Sequence, residues 1–243
     1  MQLFYAPDID VRSGSYVLSP EESRHCVRVL RLRCGDSVWV TDGRGTLCRA
    51  EIGEASPSGC VLRIAECTQE YGKRDYYLQV AVAPTKNPDR LEWFAEKATE
   101  IGIDRITPLL TEHGERRTVK TERLERVVTG AVKQSLKAYH PQIDSLTPLR
   151  ELLCMPFDGV KLIAHCAPDE AKRSLRAEVR PGDRVLVLIG PEGDFSPAEV
   201  AAARAAGFRP VSLGESRLRT ETAALVATHS VAFLNENGGE DGR

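Results

Sequence analysis

From Tyr76 onward, short apolar runs alternate with longer stretches of helical period, and this alternation constrains the fold more than any other feature of the chain. The strand-like runs are "YYLQVAVA", "RITPLL", "VKLIAH", "RVLVLIG" and "PVSLG". The helical stretches are "NPDRLEWFAEKATEIG", "TERLERVVTGAVKQSLKAYH", "SPAEVAAARAAG" and "TETAALVATHSVAFLNE". In the first of these, Asn87 caps and Pro88 leads. Leu91, Phe94, Ala95 and Ala98 form one apolar stripe, and Gly102 ends the helix. Buried strands joined by helices predict a mostly parallel sheet covered on both faces, the α/β class.

The residues before Glu70 follow a different pattern. "SYVLS", "DSVWVTDG", "TLCRAEI" and "CVLRIAEC" read as short strands, with "DGRG" as a hairpin turn. One helix is expected in "SPEESRHCVRVLR", with Ser19 as N-cap, Pro20 first and Glu22 closing a capping box. Several strands around one helix predict a small β-barrel. Thr68 to Asp75 is polar enough to link the halves. The expected domains are therefore residues 1–70 and 74–236, with a frayed tail "ENGGEDGR".

Composition removes several function classes. A net charge of -2 does not mark a general nucleic-acid binder, so such a role needs a local basic face. The seven cysteines include no C-x-x-C pair, and the five histidines show no metal spacing, so no metal is expected and the cysteines are read as free thiols in a reducing compartment. No apolar run approaches the roughly 20 residues needed to span a membrane, and the N-terminus lacks a secretion-signal layout, so a cytoplasmic location and no membrane partner are expected.

Ligands of parallel α/β sheets sit beyond the carboxyl ends of the strands. Three ends stand out: Ala164-His165-Cys166, Gly190 to Asp194, and Leu213 to Arg219. The second, "LIGPEGDFSPAEV", is neither a Walker nor a Rossmann turn. Glu192 and Asp194 would repel a phosphate, so a cationic or uncharged guest suits it better. Gly190 and Gly193 permit close approach of a ligand to the backbone, and Pro191 stiffens the bend between them. Read without a ligand, the same residues make an ordinary strand-to-helix turn. In "LGESRLRTETAALVA", Arg217 and Arg219 precede a helix capped by Thr220 or Thr222. Cations at a helix N-terminus oppose its dipole, which points to an anionic partner: an RNA phosphate or an internal carboxylate such as Glu192. Solvated arginines are the bland alternative.

"LIGPEGDFSPAEV" followed by "SLGESRLRTETAALVA" resembles the paired C-terminal motifs of the bacterial 16S ribosomal RNA (uracil-N3)-methyltransferase family, one of the trefoil-knotted SPOUT methyltransferases. "HCVRVLRLRCGD" and "EKATEIGIDRITPLLTEH" resemble the family's N-terminal and mid-chain segments, so the likeness spans nearly the whole chain. It departs in "AVKQSLKAYHP", where Lys133 and Lys137 stand in place of the expected Glu and Arg.

The resemblance implies a PUA-like barrel and a knotted α/β domain binding S-adenosylmethionine. It places the cofactor against His165, Ile189, Gly190, Pro191, Glu192, Gly193, Leu213, Gly214 and Leu218. Uracil N3 attacks the donor methyl in the implied reaction. Arg219 is the first candidate to stabilise charge on the base oxygens, with Thr220 and Glu221 as candidates for hydrogen bonding or proton removal. Arg24, Arg28 and Arg31, spaced for one helical face, are candidate RNA contacts, with Gln134 and Lys137. A second basic cluster, Arg116, Arg117, Lys120 and Arg123, is equally open to a solvated reading. The implied partner is 16S RNA within the small ribosomal subunit. The many-sided apolar character of the last helix reads as an oligomer contact, and the resemblance implies a homodimer. The rival readings are a ribose 2'-O-methyltransferase of the same fold, a nicotinamide-dependent oxidoreductase, and a non-catalytic ribosome-assembly factor.

Overall fold

The computed structural model describes residues 1–167 and 172–236 and divides into two compact units. One unit comprises residues 1–73 together with 129–140; the other comprises the remainder. Residues 237–243 of the tail read as frayed lie outside the described residues.

The first unit is a curled five-stranded sheet. Its strands are β1 (Leu3–Tyr5), β2 (Ser15–Val17), β3 (Ser37–Thr41), β4 (Leu47–Glu54) and β5 (Val61–Thr68), in the order β1-β3-β4-β5-β2. Only the β1–β3 pair is parallel. Alternation turns Val38, Val40, Ala50, Ile52 and Leu62 inward, where Phe4, Leu18 and Cys26 join them. Sequence reading missed β1, whose three residues are too few to show a period.

The helix expected after Ser19 is cut short. Ser19 Oγ accepts the Glu22 N–H at 3.2 Å, and α1 runs Pro20–Arg24. A single π turn, His25–Val29, follows. The capping box does not close. The Glu22 carboxylate instead accepts Lys133 Nζ at 2.7 and 2.9 Å. Arg31 lies past the helical segment at φ 56°, so the stripe expected through Arg24, Arg28 and Arg31 ends at Arg28.

Residues 129–140 explain the "DGRG" turn. Ala138 O accepts Thr41 Oγ1 at 3.1 Å and the Gly45 N–H at 2.9 Å, and the His140 N–H donates to Gly43 O at 2.8 Å. Tyr5 stacks on His140 with ring centroids 5.0 Å apart. Gly43 and Gly45 hold φ of 74° and 103°, and a Cβ on Gly45 would collide with the Tyr139 ring.

The free-thiol expectation needs one correction. Cys48 and Cys67 form a disulfide, because the β4–β5 register places them directly opposite each other. Cys26 and Cys60 remain thiols in the core with sulfurs 3.8 Å apart. Burial, then the neighbouring Cys60, pushes the Cys26 thiol up to about 12.

The second unit is a parallel sheet. Its elements are β6 (Tyr77–Val82), α2 (Pro88–Ile101), β7 (Arg105–Leu110), α3 (Thr121–Gln134, of which residues 129–134 count with the first unit), β8 (Gln142–Ile143), β9 (Thr147–Pro148), α4 (Leu149–Cys154) and β10 (Val160–Ala164). Next come β11 (Arg173–Ser174), α5 (Leu175–Glu178), β12 (Arg184–Ile189), α6 (Pro197–Ala205), β13 (Arg209–Ser212) and α7 (Thr220–Glu236). The strand order is β11-β13-β10-β12-β6-β7-β8, with β9 also on β7. One core joins Leu109, Ile163, Leu186, Leu188, Phe195, Val200 and Phe208. Helix α3 stops at Gln134, six residues before the expected end at His140, where Ala138 and His140 turn to pair with the "DGRG" loop.

Candidate active site

Parallel register brings the three suspected strand ends side by side. Ala164 at the end of β10 pairs with Ile189 of β12 on one side and Val211 of β13 on the other. The turns that follow therefore leave the sheet together, over the edge where ligands of such sheets sit.

The Gly190–Asp194 turn is held from several directions. Asp194 adopts φ 62° and donates its N–H to Pro191 O at 2.9 Å. Its Oδ2 accepts the Cys166 N–H at 2.7 Å, and its Oδ1 accepts the Phe195 N–H at 2.9 Å. One carboxylate thus ties the β10 turn to the β12 turn. His113, beyond β7, sets Nδ1 against Gly193 O at 3.2 Å and Asp194 O at 3.1 Å. Ser196 and Glu199 form the expected capping box of α6, and Glu199 Oε1 also accepts the Glu112 N–H at 2.8 Å. Gly190 lies against Phe195, whose ring would be 3.0 Å from an added Cβ.

The third turn meets the second at α7. Thr220 is buried and donates Oγ1–H to Gly190 O at 3.1 Å, so its hydroxyl braces the turn; it is the first helical residue, not a cap. Arg217 and Arg219 are exposed and form no ion pair with the described residues. The carboxylate offered as their internal partner is engaged elsewhere: Glu192 Oε1 accepts Arg90 Nη1 at 2.7 Å. Arg90 Nε also lies 3.7 Å from Glu221 Oε1. Glu221 is only 9% exposed, and its Oε2 has no hydrogen-bond partner among the described residues. An acceptor stranded in this way costs about 1–3 kcal/mol unless a ligand supplies a donor. Arg90 was missed by sequence reading, although an arginine in the first turn of a helix opposes the dipole as Arg219 does.

The other candidates fall as follows. Ile189 and Gly190 are buried, Pro191, Leu213 and Leu218 half-buried, and Gly193 and Gly214 exposed. Gly214 has φ 121° and no heavy atom within 4 Å of an added Cβ, so the backbone there faces open space. His165 is buried, and burial, then the nearby Lys172 cation, pulls its pKa below the ordinary histidine value. In the first unit, Arg24 and Arg28 line a shallow groove with Pro20, Pro57 and Ser58, and Gln134 is exposed at the end of α3. Lys137 is half-buried. Of the second basic cluster, Arg123 pairs with Asp89 and Glu92, and Arg116 donates to Thr118 O and Lys86 O. Arg117 and Lys120 are exposed. Among the described residues no cluster of three His, Cys, Asp or Glu side chains could hold a metal, and no helix is long and apolar enough to cross a membrane.

Residues 73–232 match the family described as an RNA methyltransferase domain, and residues 18–65 the one described as an RNA methyltransferase PUA domain. Among solved structures, a probable rRNA-methyltransferase from Porphyromonas gingivalis is 42% identical, covers 98% of this chain and 100% of that one, and has a TM-score of 0.90. The ribosomal RNA small subunit methyltransferase E from Neisseria gonorrhoeae, bound to S-adenosyl methionine, is 27% identical with a TM-score of 0.85, over 96% of this chain and 98% of that one. The curated protein of the same name from Synechocystis is 28% identical over 97% of this chain and 78% of its own length.

Proposed function

The chain belongs to the RNA methyltransferase family, and on that premise we propose that it methylates N3 of a specific uridine in the 16S RNA of the small ribosomal subunit, with S-adenosylmethionine as donor. Its fold is that of the trefoil-knotted α/β methyltransferases with an N-terminal PUA-like domain. Ribosomal RNA is the substrate class, and the enzyme is a methyltransferase.

The observation that carries the reading is the convergence of three glycine-bearing or acidic turns at the adjacent ends of β10, β12 and β13. The carboxylates on the β12 turn, Glu192 and Asp194, suit a ligand bearing sulfonium and ammonium charge but no phosphate. The open backbone at Gly214 leaves a space for such a guest. His165, Ile189, Gly190, Pro191, Glu192, Gly193, Leu213, Gly214 and Leu218 would hold it. Bound S-adenosylmethionine supplies an electrophilic methyl group.

The chain's own residues deal with the base. Neutral uracil carries a proton on N3, and its loss leaves negative charge on O2 and O4. Arg219, exposed beside the crevice and free of carboxylates, stabilises that charge. The base has to leave its stack to be reached. Arg24, Arg28 and Arg31 of the PUA-like unit, with Gln134 and Lys137, grip RNA phosphates, so affinity falls steeply with salt. The chain forms a homodimer through α7, an apolar helix on which Phe233 is 54% exposed. Substrate and donor both place the enzyme in the cytoplasm.

The test is methylation of small ribosomal subunits from a strain lacking this activity, using labelled donor, followed by nucleoside digestion and mass mapping. N3-methyluridine at one position is expected. A 2'-O-methylated nucleoside would favour the ribose-modifying rival, and absence of label the assembly-factor reading.

A further inference from the structure

We infer that Arg90 is a positioning residue of this site: it fixes the Glu221 carboxylate so that its unpaired Oε2 accepts the N3 proton of the target uracil. The inference rests on the proposed uracil-N3 reaction.

Three observations converge on it. First, Arg90 sits in the opening turn of α2 and reaches two carboxylates from two different strand-end segments. Its Nη1 holds Glu192 Oε1 at 2.7 Å, and its Nε lies 3.7 Å from Glu221 Oε1. Second, the contact is one-sided. Glu221 offers Oε1 to the cation, while Oε2 is buried without a hydrogen-bond donor among the described residues. Asp144, by contrast, presents both oxygens to the Arg105 fork through bonds of 2.8 Å each. Third, the surroundings of Glu221 are locked. The preceding residue, Thr220, is bonded to Gly190 O, and Arg123 of α3 anchors the start of α2 through Asp89 and Glu92. Glu221 thus sits among hydrogen-bonded and ion-paired neighbours with one buried oxygen left unpartnered, an acceptor that a base N–H could satisfy.

The step is simple to balance. The N3–H bond breaks with its electron pair left on nitrogen, the proton passes to Glu221 Oε2, and the resulting carboxylic acid later returns it to water. Arg90 touches neither base nor donor; it acts through Glu221. Glu192 ties the same guanidinium to the Gly190–Asp194 turn, so the base and the cofactor turn keep one register.

The test compares Arg90→Ala, Arg90→Lys, Glu221→Gln and the double variant Arg90→Ala/Glu221→Gln in the full chain. The readouts are turnover at saturating subunits and donor, donor Kd by calorimetry, and melting temperature. Glu221→Gln should lower turnover by about 100-fold, within the range of a lost proton acceptor, with donor Kd within about threefold of the parent. Arg90→Ala should lose about 30-fold and Arg90→Lys recover most of it. The double variant should be no slower than Glu221→Gln alone, because the two groups act as one unit. Multiplicative losses in the double variant would overturn the inference, as would parental turnover in Glu221→Gln. A weakened donor Kd with unchanged saturated turnover would assign Oε2 to a donor N–H and overturn it too. The isosteric Glu221→Gln and the charge-keeping Arg90→Lys remain informative if Arg90→Ala melts early. Nucleoside analysis of the parent product separates the two levels. Without N3-methyluridine the functional reading fails and this inference with it, whereas N3-methyluridine beside discordant variants removes only the role of Arg90.

Discussion

Asp194→Ala probes the junction of the β10 and β12 turns. The side chain accepts two backbone N–H groups, from Cys166 at 2.7 Å and Phe195 at 2.9 Å. A hydrogen bond to a charged acceptor nets about 1.5–3 kcal/mol, and the lower end applies because Asp194 is half-buried, giving about 3 kcal/mol for the pair. Alanine must also keep φ 62°, a left-handed conformation that costs a residue with Cβ about 1 kcal/mol and that aspartate tolerates better. The total is about 4 kcal/mol, close to a thousandfold in a folding equilibrium. Asp194→Asn keeps one carbonyl acceptor and the left-handed tolerance, so it should lose about half as much. Urea unfolding followed by circular dichroism measures both, and calorimetry with S-adenosylmethionine should show weaker binding in the same order. If alanine falls within about 1 kcal/mol of the parent, or asparagine is no better than alanine, the carboxylate does not join the turns and the reasoning is wrong.

Four further outcomes are expected. The folded-state pKa of His165 is lowered, so the unfolded chain binds the extra proton first. Its contribution to stability is complete above the ordinary value of about 6.5 and declines as pH falls below it; His165→Gln should flatten the melting temperature between about pH 7 and 5, and an unchanged slope would discount its burial. Gly193→Val places a branched side chain where a Cβ is already 3.3 Å from His113, so donor Kd should rise at least about tenfold, read by calorimetry; an unchanged Kd removes this turn from the crevice. Lys133→Ala strands the Glu22 carboxylate, which is 13% exposed, and should cost about 1–2 kcal/mol in urea unfolding, whereas Glu22→Gln should partly relieve the double variant. Reversing Arg24 and Arg28 to Glu should weaken subunit binding in a salt-dependent filter assay while leaving donor Kd alone; unaltered RNA affinity would make the groove a solvated face.

Helices with strong local signals were legible in the sequence. Asn87, Pro88 and Gly102 bracket α2 as read, and Ser196 with Glu199 caps α6 as read. Local signals failed where distant partners decide. The helix after Ser19 was read through to Arg31, but Glu22 is drawn to Lys133, more than a hundred residues away, and the backbone loosens to a π turn. Helix α3 reads through to His140 with Pro141 as its stop; it ends earlier, at Gln134, where the following residues bond to Thr41 and Gly45 instead. The glycine and arginine turns of the site could be located because parallel sheets place function at strand ends. Their internal wiring could not. Glu192 is one of the partners the sequence offers for Arg217 and Arg219, beside an RNA phosphate, while in the structure it pairs with Arg90 on α2. The cross-strand disulfide depends on register: Cys48 in "TLCRAEI" and Cys67 in "CVLRIAEC" meet only once the two strands are aligned, which spacing alone does not fix.

The assignment of residues 129–140 to the same compact unit as residues 1–73 limits how this protein can be taken apart. No single scission liberates either unit intact. A fragment starting at Arg74 would carry an orphaned dodecapeptide whose Leu136 and Ala138 have lost Leu3, Trp39 and Leu47, and would be prone to clump. The complementary fragment would lack the lid over its "DGRG" loop. Exchange of the PUA-like unit between relatives must therefore graft two separated stretches at once, and lineages should inherit the pair as a single heirloom.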